Sequence, residues 1–536
     1  MTRRPRYYIT TPIYYVNDVP HIGHMYTTLA CDVIARFKRL DGYDVRFLTG
    51  TDEHGQKVQK AAEARGVAPQ TFTDAVSGNF RQMAAMMNFS NDDFIRTTEE
   101  RHKRACTALW ERLVEQGHIY LETYAGWYAV RDEAFYAESE LQKAADGSWI
   151  APSGAPVEWV EEPSYFFRLS AWQERLLQFY EDEPDFILPP SRRNEVMSFV
   201  RGGLQDLSVS RTTFDWGIPV PGDSAHVMYV WLDALTNYIT AVGYPDTDAP
   251  MFTKWWPADL HMVGKDILRF HAVYWPAFLM AADLPPPRRV FAHGWWTNEG
   301  QKISKSLGNV IDPRELVDRY GLDQVRYFLM REVPFGQDGD FSHRAIVGRI
   351  NGDLANDFGN LAQRVLSMIG RYCGGRVPIP SGFTEPDQLL LNAAAQLLPD
   401  MRTQIDRQQL HLALTGMWEV ISAANGYVAR QAPWTLRKND VARMQTVLFV
   451  MVETLRRLAL LAQPFVPDAA SQLLEQLCVP PPERDFRAIS ADYAMLPGTA
   501  LPPPMGIFPR FVERPGDDSG RAPGGATAGG TDRADR

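Results

Sequence analysis

The sequence has few of the features that mark secreted, membrane-spanning or disulfide-rich proteins. No run of about 18 apolar residues occurs, so no membrane span is predicted. The basic start, Met1–Tyr7, is not followed by the apolar stretch of a secretory signal. The few cysteines are scattered, which predicts a reducing, cytoplasmic location and no disulfide framework: Cys31, Cys106, Cys373 and Cys478.

Composition places the chain among multidomain globular proteins. At 536 residues it exceeds what one core accommodates, and three or four domains are expected. Its net charge of −10 argues against a surface covered by nucleic acid, but leaves room for a local basic face. We find no internal repeats.

The N-terminal pattern predicts a parallel α/β sheet. A β-branched and aromatic run at Tyr7–Thr11 reads as a buried strand, and Val45–Gly50 as a second. Between them, apolar residues from Ile22 to Leu40 recur at three- and four-residue steps and end before Gly42, which predicts an amphipathic helix. Strand, helix and strand in this order are typical of a doubly wound Rossmann domain.

The pattern of apolar and polar residues changes twice further along the chain, and these changes give the expected domain bounds. Aromatic and polar residues alternate over 117–225, which predicts an inserted β-rich unit that divides the Rossmann domain into 1–116 and 226–290. A loop segment at 291–345 precedes a helical bundle at 346–512. The Gly-, Ala-, Asp- and Arg-rich end, 513–536, is expected to be disordered.

Two short motifs carry the chemistry. His21-Ile22-Gly23-His24 opens the first helix, where the helix N-terminus favours anions. Lys302-Ile303-Ser304-Lys305-Ser306 lies in a small, polar stretch that can form a mobile loop. Taken singly, the first is compatible with incidental surface histidines and the second with a solvated basic loop. Together they predict the two halves of an ATP site, because charge that builds on phosphate needs positioned donors.

The motif pair resembles the signatures of class I aminoacyl-tRNA synthetases. The second motif matches that family's lysine signature with Ile303 in place of Met, and the main catalytic lysine corresponds to Lys305. The resemblance implies that ATP, carried with Mg²⁺, is a substrate. It assigns catalysis to His21, His24, Lys302 and Lys305. It assigns ATP binding to Asn17, His21, Gly23, His24, Asp266, Gly294, Trp295 and Lys305.

Further segments are similar to methionyl-tRNA synthetases: Thr11–Asn17, Val230–Ala234 and Gly264–Ile267. The resemblance implies that Asp52 holds the substrate ammonium. It implies a methionine pocket formed by Ile13, Tyr15, Trp231, Ala234, Tyr238, Ile267, His271 and Trp275. A thioether is well held by apolar and aromatic surfaces, which these residues offer. Core packing is the alternative for each aromatic residue, and a turn or helix cap for Asp52. Leu235 stands where some members have Pro.

The inserted unit favours methionine and predicts no zinc. Related enzymes for Ile, Val and Leu carry a much larger editing insertion, and cysteine-specific ones need a zinc site of Cys and His ligands, which this chain lacks. Many methionyl enzymes have a zinc knuckle here. The matching ligand places are Ala129, Asp132, Ala151 and Gly154. We expect the knuckle to persist on aromatic contacts of Trp127, Tyr128, Phe135 and Tyr136.

The helical part carries the expected tRNA contacts. The resemblance implies that Asn360, Arg364, Pro433 and Trp434 read the CAU anticodon of tRNA(Met), including the initiator form. Stacking and base-edge hydrogen bonds suit single-stranded bases. A solvated helix face for Asn360 and Arg364, and a buried bundle anchor for Trp434, are the alternatives. A monomer is expected.

Three other functions stay open at this stage. They are a smaller nucleotidyltransferase of the same superfamily, a non-catalytic RNA-binding relative, and a sibling synthetase with another amino acid. The long helical part disfavours the first. The presence of His21, His24 and Lys305 disfavours the second. The short insertion disfavours the third.

Overall fold

A computed structural model describes residues 4–16, 19–132, 134–303 and 308–513. It divides into two compact units. The sheet unit comprises the described residues of Arg6–Pro20 and Asp44–His293. The helical unit comprises those of Met1–Pro5, His21–Tyr43 and Gly294–Arg536. Within the described ranges, no helix has the length and apolar character to cross a membrane.

The strands, in chain order, are β1 (Arg6–Thr10), β2 (Tyr14–Tyr15), β3 (Asp44–Asp52), β4 (Asp93–Arg96), β5 (Ile119–Ala129), β6 (Ala134–Tyr136), β7 (Gln142–Lys143), β8 (Trp149–Ile150), β9 (Glu158–Phe167), β10 (Ile187–Leu188), β11 (Leu207–Ser208), β12 (Ser210–Arg211), β13 (Pro219–Val220), β14 (Asp223–Met228), β15 (Leu260–Gly264), β16 (Val290–His293), β17 (Trp296–Asn298), β18 (Gln301–Lys302) and β19 (Gly339–Phe341).

The α-helices are α1 (Ile22–Leu40), α2 (Gln56–Ala64), α3 (Pro69–Met86), α4 (Glu100–Glu115), α5 (Gln173–Asp182), α6 (Pro190–Arg201), α7 (Val230–Thr240), α8 (Pro250–Trp255), α9 (Trp275–Ala281), α10 (Pro313–Tyr320), α11 (Leu322–Arg331), α12 (His343–Arg349), α13 (Asn360–Tyr372), α14 (Glu385–Asp406), α15 (Leu410–Gln431), α16 (Pro433–Asn439), α17 (Val441–Ala462) and α18 (Pro467–Gln476). Two π-helical segments, Phe270–Tyr274 and Ile350–Gly359, precede α9 and α13.

The sheet unit is built on a parallel sheet with the strand order β10-β16-β15-β1-β3-β2, and β4 also pairs with β3. Every one of these pairs is parallel. β1 and β3 run in register from Arg6 opposite Asp44 to Thr10 opposite Leu48. The doubly wound sheet predicted from the sequence is therefore confirmed. Its strands end on one edge, where ligands of such sheets bind.

The inserted stretch is more mixed than its aromatic pattern predicts. β5 and β9 form a long antiparallel pair, with β6 and β11 on its flanks, as expected of a β-rich insertion. Two helices, α5 and α6, follow β9 and were not foreseen, because only Leu176 and Tyr180 are buried along α5 and its apolar stripe is narrow. Strand β10 pairs with β16 and so extends the parallel sheet.

The helical unit is organised around α17, which is buried over nearly its whole length. Three buried charged side chains of this helix pair inside the bundle: Glu453 accepts from Arg456 at 2.6 Å and from Arg457 at 2.9 Å. Another buried pair links α1 to α11, where Arg326 donates to Asp32 at 2.7 Å. After β19 the described chain is helical, as the sequence predicts. The end predicted to be disordered lies, from 514 onward, outside the described residues.

Candidate active site

The predicted ammonium ligand and one pocket wall lie side by side at the end of the parallel sheet. Tyr15 in β2 is the register partner of Asp52, the last residue of β3. The Val16 amide donates to the Asp52 carbonyl at 3.1 Å, which fixes this pairing. Asp52 is 7% exposed, and Ile13 and Tyr15 pack half-buried against the core of the unit. A carboxylate at this depth suits a charged ammonium.

Helix α7 presents a second wall. Trp231, Ala234 and Tyr238 are three and four residues apart, so they share one face of the helix. Ala234 and Tyr238 are buried, and Trp231 is half-buried. Leu235 belongs to the hydrophobic core and is 1% exposed.

The third wall comes from the segment around a π-helix, a feature that is frequent at functional sites. His271 Nδ1 lies 2.9 Å from the Ile267 carbonyl oxygen, which can only accept, so this nitrogen carries the proton. Its Nε2 therefore accepts from the Tyr238 hydroxyl at 2.7 Å. Burial lowers the pKa of His271 to about 4, although the bond to Ile267 opposes this, so the ring is neutral at pH 7.

Ring contacts join the second and third walls into one aromatic enclosure, and Ile13 and Tyr15 of the first wall pack against the same hydrophobic core. The centroid of Tyr238 lies 6.0 Å from that of Trp275, and the Trp231 ring meets the His271 ring edge-on at 6.1 Å. Trp275 is fully buried as the first residue of α9. The structure thus brings all the pocket residues predicted from the sequence into one unit. Their surfaces are apolar and aromatic, with the His271 and Tyr238 polar atoms bonded to each other.

The sequence interpretation missed two residues of this enclosure, Phe270 and His261. Phe270 stacks on Trp231 with centroids 3.7 Å apart and an interplanar angle of 6°. Behind the pocket, His261 stacks on Tyr238 at 4.1 Å and bonds to Thr10 Oγ1 at 2.8 Å. Burial lowers the pKa of His261 well below its usual value, so this ring is neutral as well. Phe270 could have been recognised in the sequence, because it lies in an aromatic run beside His271. Nothing in the sequence distinguishes His261, which lies inside a buried strand.

The first ATP motif forms a histidine cap on α1 in the helical unit. The Gly23 amide donates to His21 Nδ1 at 3.1 Å, and the His21 amide donates to His24 Nδ1 at 3.1 Å. Both Nδ1 atoms accept, so each neutral ring carries its proton on Nε2 and can donate there. Burial, and then the neighbouring His21, lower the pKa of His24 well below its usual value. A Cβ at Gly23 would lie 2.9 Å from the His21 ring, so glycine permits this cap.

The second motif is approached by a tight hairpin in the same unit. β17 and β18 pair through a two-residue turn, Glu299-Gly300, in which both residues have positive φ. Asn309 donates from its side chain to the Lys302 carbonyl at 3.0 Å. The Ile311 carbonyl then accepts from the Ile22 amide at 3.2 Å, which ties this segment to the start of α1. Lys302 is exposed on β18, whereas Lys305 lies outside the described residues.

The remaining predicted ATP contacts are distributed over both units. In the helical unit, a Cβ at Gly294 would lie 2.3 Å from the Gln337 carbonyl, so no larger residue fits. Trp295 is 46% exposed, and its amide donates to Asp338 at 2.8 Å. In the sheet unit, Asp266 is exposed at the second position after β15, with its carboxylate against the bare backbone of Gly264. Asn17 lies outside the described residues.

The predicted anticodon residues of α13 line an open, polar groove of about 640 Å³ in the helical unit. Arg364 donates to the Asn425 side chain at 3.1 Å, and Asn360 donates to Asn356 at 3.1 Å. The groove contains mostly amide, hydroxyl and guanidinium groups: Asn356, Asp357, Asn360, Gln363, Arg364, Ser367, Ser422 and Asn425. Such groups can bond to the edges of unpaired bases. The sequence pointed to two of them.

Trp434 occupies the second position of α16, after the buried Pro433. It is 41% exposed, so it does not fit the alternative interpretation as a buried anchor of the bundle. An exposed indole is a surface on which a base can stack.

The inserted unit has a turn at each of the two places that match the zinc ligands of the knuckle. Alanine and polar side chains lie between these turns. The Asp132 amide donates to the Ala129 carbonyl at 3.2 Å, and the Gly154 amide to the Ala151 carbonyl at 2.8 Å. Ala129 and Ala151 are fully buried in a small cluster with Ala155. Asp132 accepts from the Ser153 hydroxyl and from Tyr136 at 3.0 Å.

Of the four aromatic residues expected to support the knuckle, Tyr136 packs against the alanine cluster. Tyr128 packs on Phe135 at 4.7 Å, and Trp127 packs on Trp159 at 5.4 Å. In the part of the chain that the structure describes, the one group with metal-ligand types close together lies elsewhere, at His102, Cys106 and Asp233.

Two sequence families together match most of the chain. The family described as "tRNA synthetases class I (M)" matches residues 7–366. The family described as "Anticodon binding domain of methionyl tRNA ligase" matches residues 377–518.

Individual proteins match over nearly their whole length. The methionine–tRNA ligase of Mesorhizobium japonicum is 58% identical over 513 residues, which cover 96% of this chain and 99% of that one. That of Brucella suis is 59% identical, covering 95% and 99%. The structure of Mycobacterium tuberculosis methionyl-tRNA synthetase in complex with methionyl-adenylate has a TM-score of 0.92 at 55% identity, covering 95% and 100%. The chain belongs to the methionyl-tRNA synthetase family of class I aminoacyl-tRNA synthetases.

Proposed function

We propose that this chain is a methionine–tRNA ligase. In the first step a methionine carboxylate oxygen attacks the α-phosphorus of ATP, the bond to pyrophosphate breaks, and methionyl-adenylate forms. In the second step a hydroxyl of the tRNA 3′-terminal ribose attacks the carbonyl carbon, and AMP leaves. Its tRNA substrate is tRNA(Met), including the initiator form.

The observation that carries this proposal is the aromatic enclosure beside Asp52 in the sheet unit. Its walls bury Tyr238 and Trp275 almost completely and so offer aromatic surfaces to an apolar side chain. A methionine thioether gains from contact with such rings, whereas a charged or strongly polar side chain loses its hydration there. Asp52 supplies the opposite charge for the ammonium group. His271 stays neutral, so it adds no charge to the pocket.

In the helical unit we assign the phosphate donors to His21 and His24, each with its proton on Nε2. Donors that are already oriented stabilise charge that develops on phosphate oxygens in the transition state. Lys302 and Lys305 supply cationic charge to the same substrate, MgATP. Gly23, Gly294 and Trp295, with Asp266 and Asn17, are proposed as further contacts of ATP.

Recognition of the tRNA is assigned to the polar groove at Asn360 and Arg364 and to Pro433 and Trp434. Amide and guanidinium groups read base edges, and an exposed indole stacks on a base. We also propose a cytoplasmic monomer without structural zinc. For the domain bounds we propose 1–116 and 226–290 for the catalytic fold and 117–225 for the insertion, within which β10 returns to the parallel sheet of the catalytic fold. We propose 291–345 for the lysine-loop segment and 346–512 for the anticodon-binding part.

Methionine-dependent exchange of pyrophosphate into ATP tests the proposal. We expect Asp52→Asn, which removes the charge but keeps the size, to raise the methionine KM by about tenfold or more while the ATP KM stays within twofold. Asp74→Asn is the matched control in the same unit: its carboxylate is exposed and pairs with Arg96, and the methionine KM should not change. Absence of exchange by the wild-type protein, or equal effects of both variants, would contradict the assignment.

A further inference from the structure

A buried carboxylate links the end of β3 to helix α7 behind the pocket. Asp233, in the first turn of α7, is fully buried and accepts two short hydrogen bonds. His54 Nδ1 donates to its Oδ2 at 2.6 Å, and His102 Nε2 donates to its Oδ1 at 2.7 Å. Burial alone would raise the pKa of Asp233, but the two histidines lower it to about 2. The carboxylate is therefore charged near neutral pH and holds both rings.

The three groups come from separate parts of the chain. His54 belongs to the turn between β3 and α2, His102 to α4, and Asp233 to α7. Hydrogen bonds between such distant residues fix the relative placement of the elements that carry them. His102 adds anchorage toward the core, because its Nδ1 lies 3.0 Å from Thr240 Oγ1 at the other end of α7.

The turn that carries His54 directly follows the proposed ammonium ligand, Asp52, at the end of β3. Asp52 is two residues before His54. The backbone carbonyl of the intervening Glu53 accepts a hydrogen bond from the Trp216 indole at 2.6 Å. The Gly55 amide donates to the Trp216 carbonyl at 2.9 Å. Trp216 thus clamps the backbone of the turn, and the His54–Asp233 bond joins the turn to α7.

On α7, Asp233 is placed between pocket residues. Trp231 precedes it by two positions and Ala234 follows it directly, so a shift of Asp233 shifts both. Loss of the His54–Asp233 hydrogen bond would allow the turn to rotate. Asp52 would then move relative to Trp231 and Ala234. Misplacement of a binding group by about 1 Å is enough to impair a reaction strongly.

We propose that the His54–Asp233 pair positions the ammonium-binding carboxylate of Asp52 against the α7 wall and so sets the affinity for the amino acid. His54 and Asp233 are positioning residues, since they act through Asp52, Trp231 and Ala234. The proposal rests on the proposed function, in which this enclosure holds methionine. The alternative is that the cluster only stabilises the core of the sheet unit.

The test is steady-state pyrophosphate exchange by purified, full-length variants, together with their melting temperatures. We expect His54→Ala to raise the methionine KM by about tenfold while the ATP KM stays within twofold. His54→Asn places an amide N–H near the position of Nδ1 and should bring the methionine KM back to within about threefold of wild type. A purely structural role predicts a lower melting temperature and fewer active molecules, hence a lower kcat with both KM values unchanged.

Two further variants keep the test decisive. Ser164→Ala removes a buried hydroxyl that lies 2.6 Å from the Ser208 hydroxyl and is not part of the pocket. This variant should have a lower melting temperature but the same KM values for methionine and ATP. If His54→Ala does not fold, Asp233→Asn and His54→Asn are compared instead. Asp233→Asn can accept only one of the two bonds and should raise the methionine KM by about tenfold, whereas His54→Asn should keep it within about threefold of wild type.

An unchanged methionine KM in a folded His54→Ala or Asp233→Asn protein, or equal rises in both KM values, would overturn the proposal. Failure of the proposed function would look different, because wild-type protein would then show no methionine-dependent exchange at all.

Discussion

Replacement of Trp434 by alanine separates tRNA recognition from adenylate chemistry. The indole is 41% exposed at the start of α16, and the adjoining Pro433 is buried, so the ring stands on a fixed backbone. Loss of one base stack costs about 1–3 kcal/mol. We therefore expect kcat/KM for tRNA in aminoacylation to fall by about 5–150-fold, since about 1.4 kcal/mol corresponds to a factor of ten.

The same truncation has a smaller effect on folding. Truncation of a fully buried tryptophan costs about 3–5 kcal/mol, and this ring is only about three-fifths buried, which suggests a loss of about 2–3 kcal/mol. Pyrophosphate exchange does not require tRNA and uses none of the residues of α16. At a temperature well below the melting transition, the exchange rate of Trp434→Ala should therefore equal that of the wild type.

The assay compares exchange, aminoacylation and melting temperature for wild type, Trp434→Ala and Trp434→Phe. Phenylalanine keeps a flat ring, so it should recover most of the charging activity. A minihelix that lacks the anticodon should be charged equally by all three proteins. Equal losses in exchange and charging, or the same loss on the minihelix, would refute the anticodon role of Trp434.

Three other outcomes follow from the site. Lys305→Ala should slow single-turnover formation of methionyl-adenylate by about 30–1000-fold, the scale of about 2–4 kcal/mol for one transition-state donor, with methionine binding unchanged; an unaltered rate would exclude its catalytic role. Elemental analysis should find no stoichiometric zinc, since Ala129 and Asp132 stand at ligand places, and activity should survive a chelator once Mg²⁺ is restored; one zinc per chain would contradict this. The pKa of His271 is about 4 in the folded protein and about 6.5 in the unfolded chain, so as the pH falls the unfolded state takes up the proton first. The free energy of unfolding should therefore fall by up to about 3 kcal/mol between pH 6.5 and pH 4. His271→Gln should show a shallower fall in urea titrations, and an identical slope would contradict the neutral, buried ring.

The fold could be predicted wherever one periodicity dominates. α1 begins at Ile22 and ends at Leu40, as its apolar spacing and Gly42 indicate, and Asp41 and Gly42 close it. The inserted stretch was harder, because its aromatic alternation concealed α5 and α6. β10 has two residues, and its pairing with β16 depends on tertiary placement rather than on its own pattern.

For the site, motifs identified residues but not the contacts between them. Trp231 lies in one of the segments that resemble methionyl-tRNA synthetases, and the same resemblance assigned Asp52. The stack of Phe270 on Trp231 and the buried pair of His54 with Asp233 join positions far apart in sequence. A single sequence carries no record of such pairs. The same limit applied to Gly23, where the sequence suggested an approach of ATP and the structure adds the His21 ring.

The central claim is that the enclosure of Trp231, Tyr238, His271 and Trp275 selects methionine. The most direct test is pyrophosphate exchange into ATP with each of the standard amino acids in turn. Methionine should give a kcat/KM at least about 100-fold above that of any other, because a pocket of this kind discriminates by contact area and by exclusion of polar groups. Exchange with leucine, isoleucine or cysteine at a rate comparable to that with methionine would contradict the account.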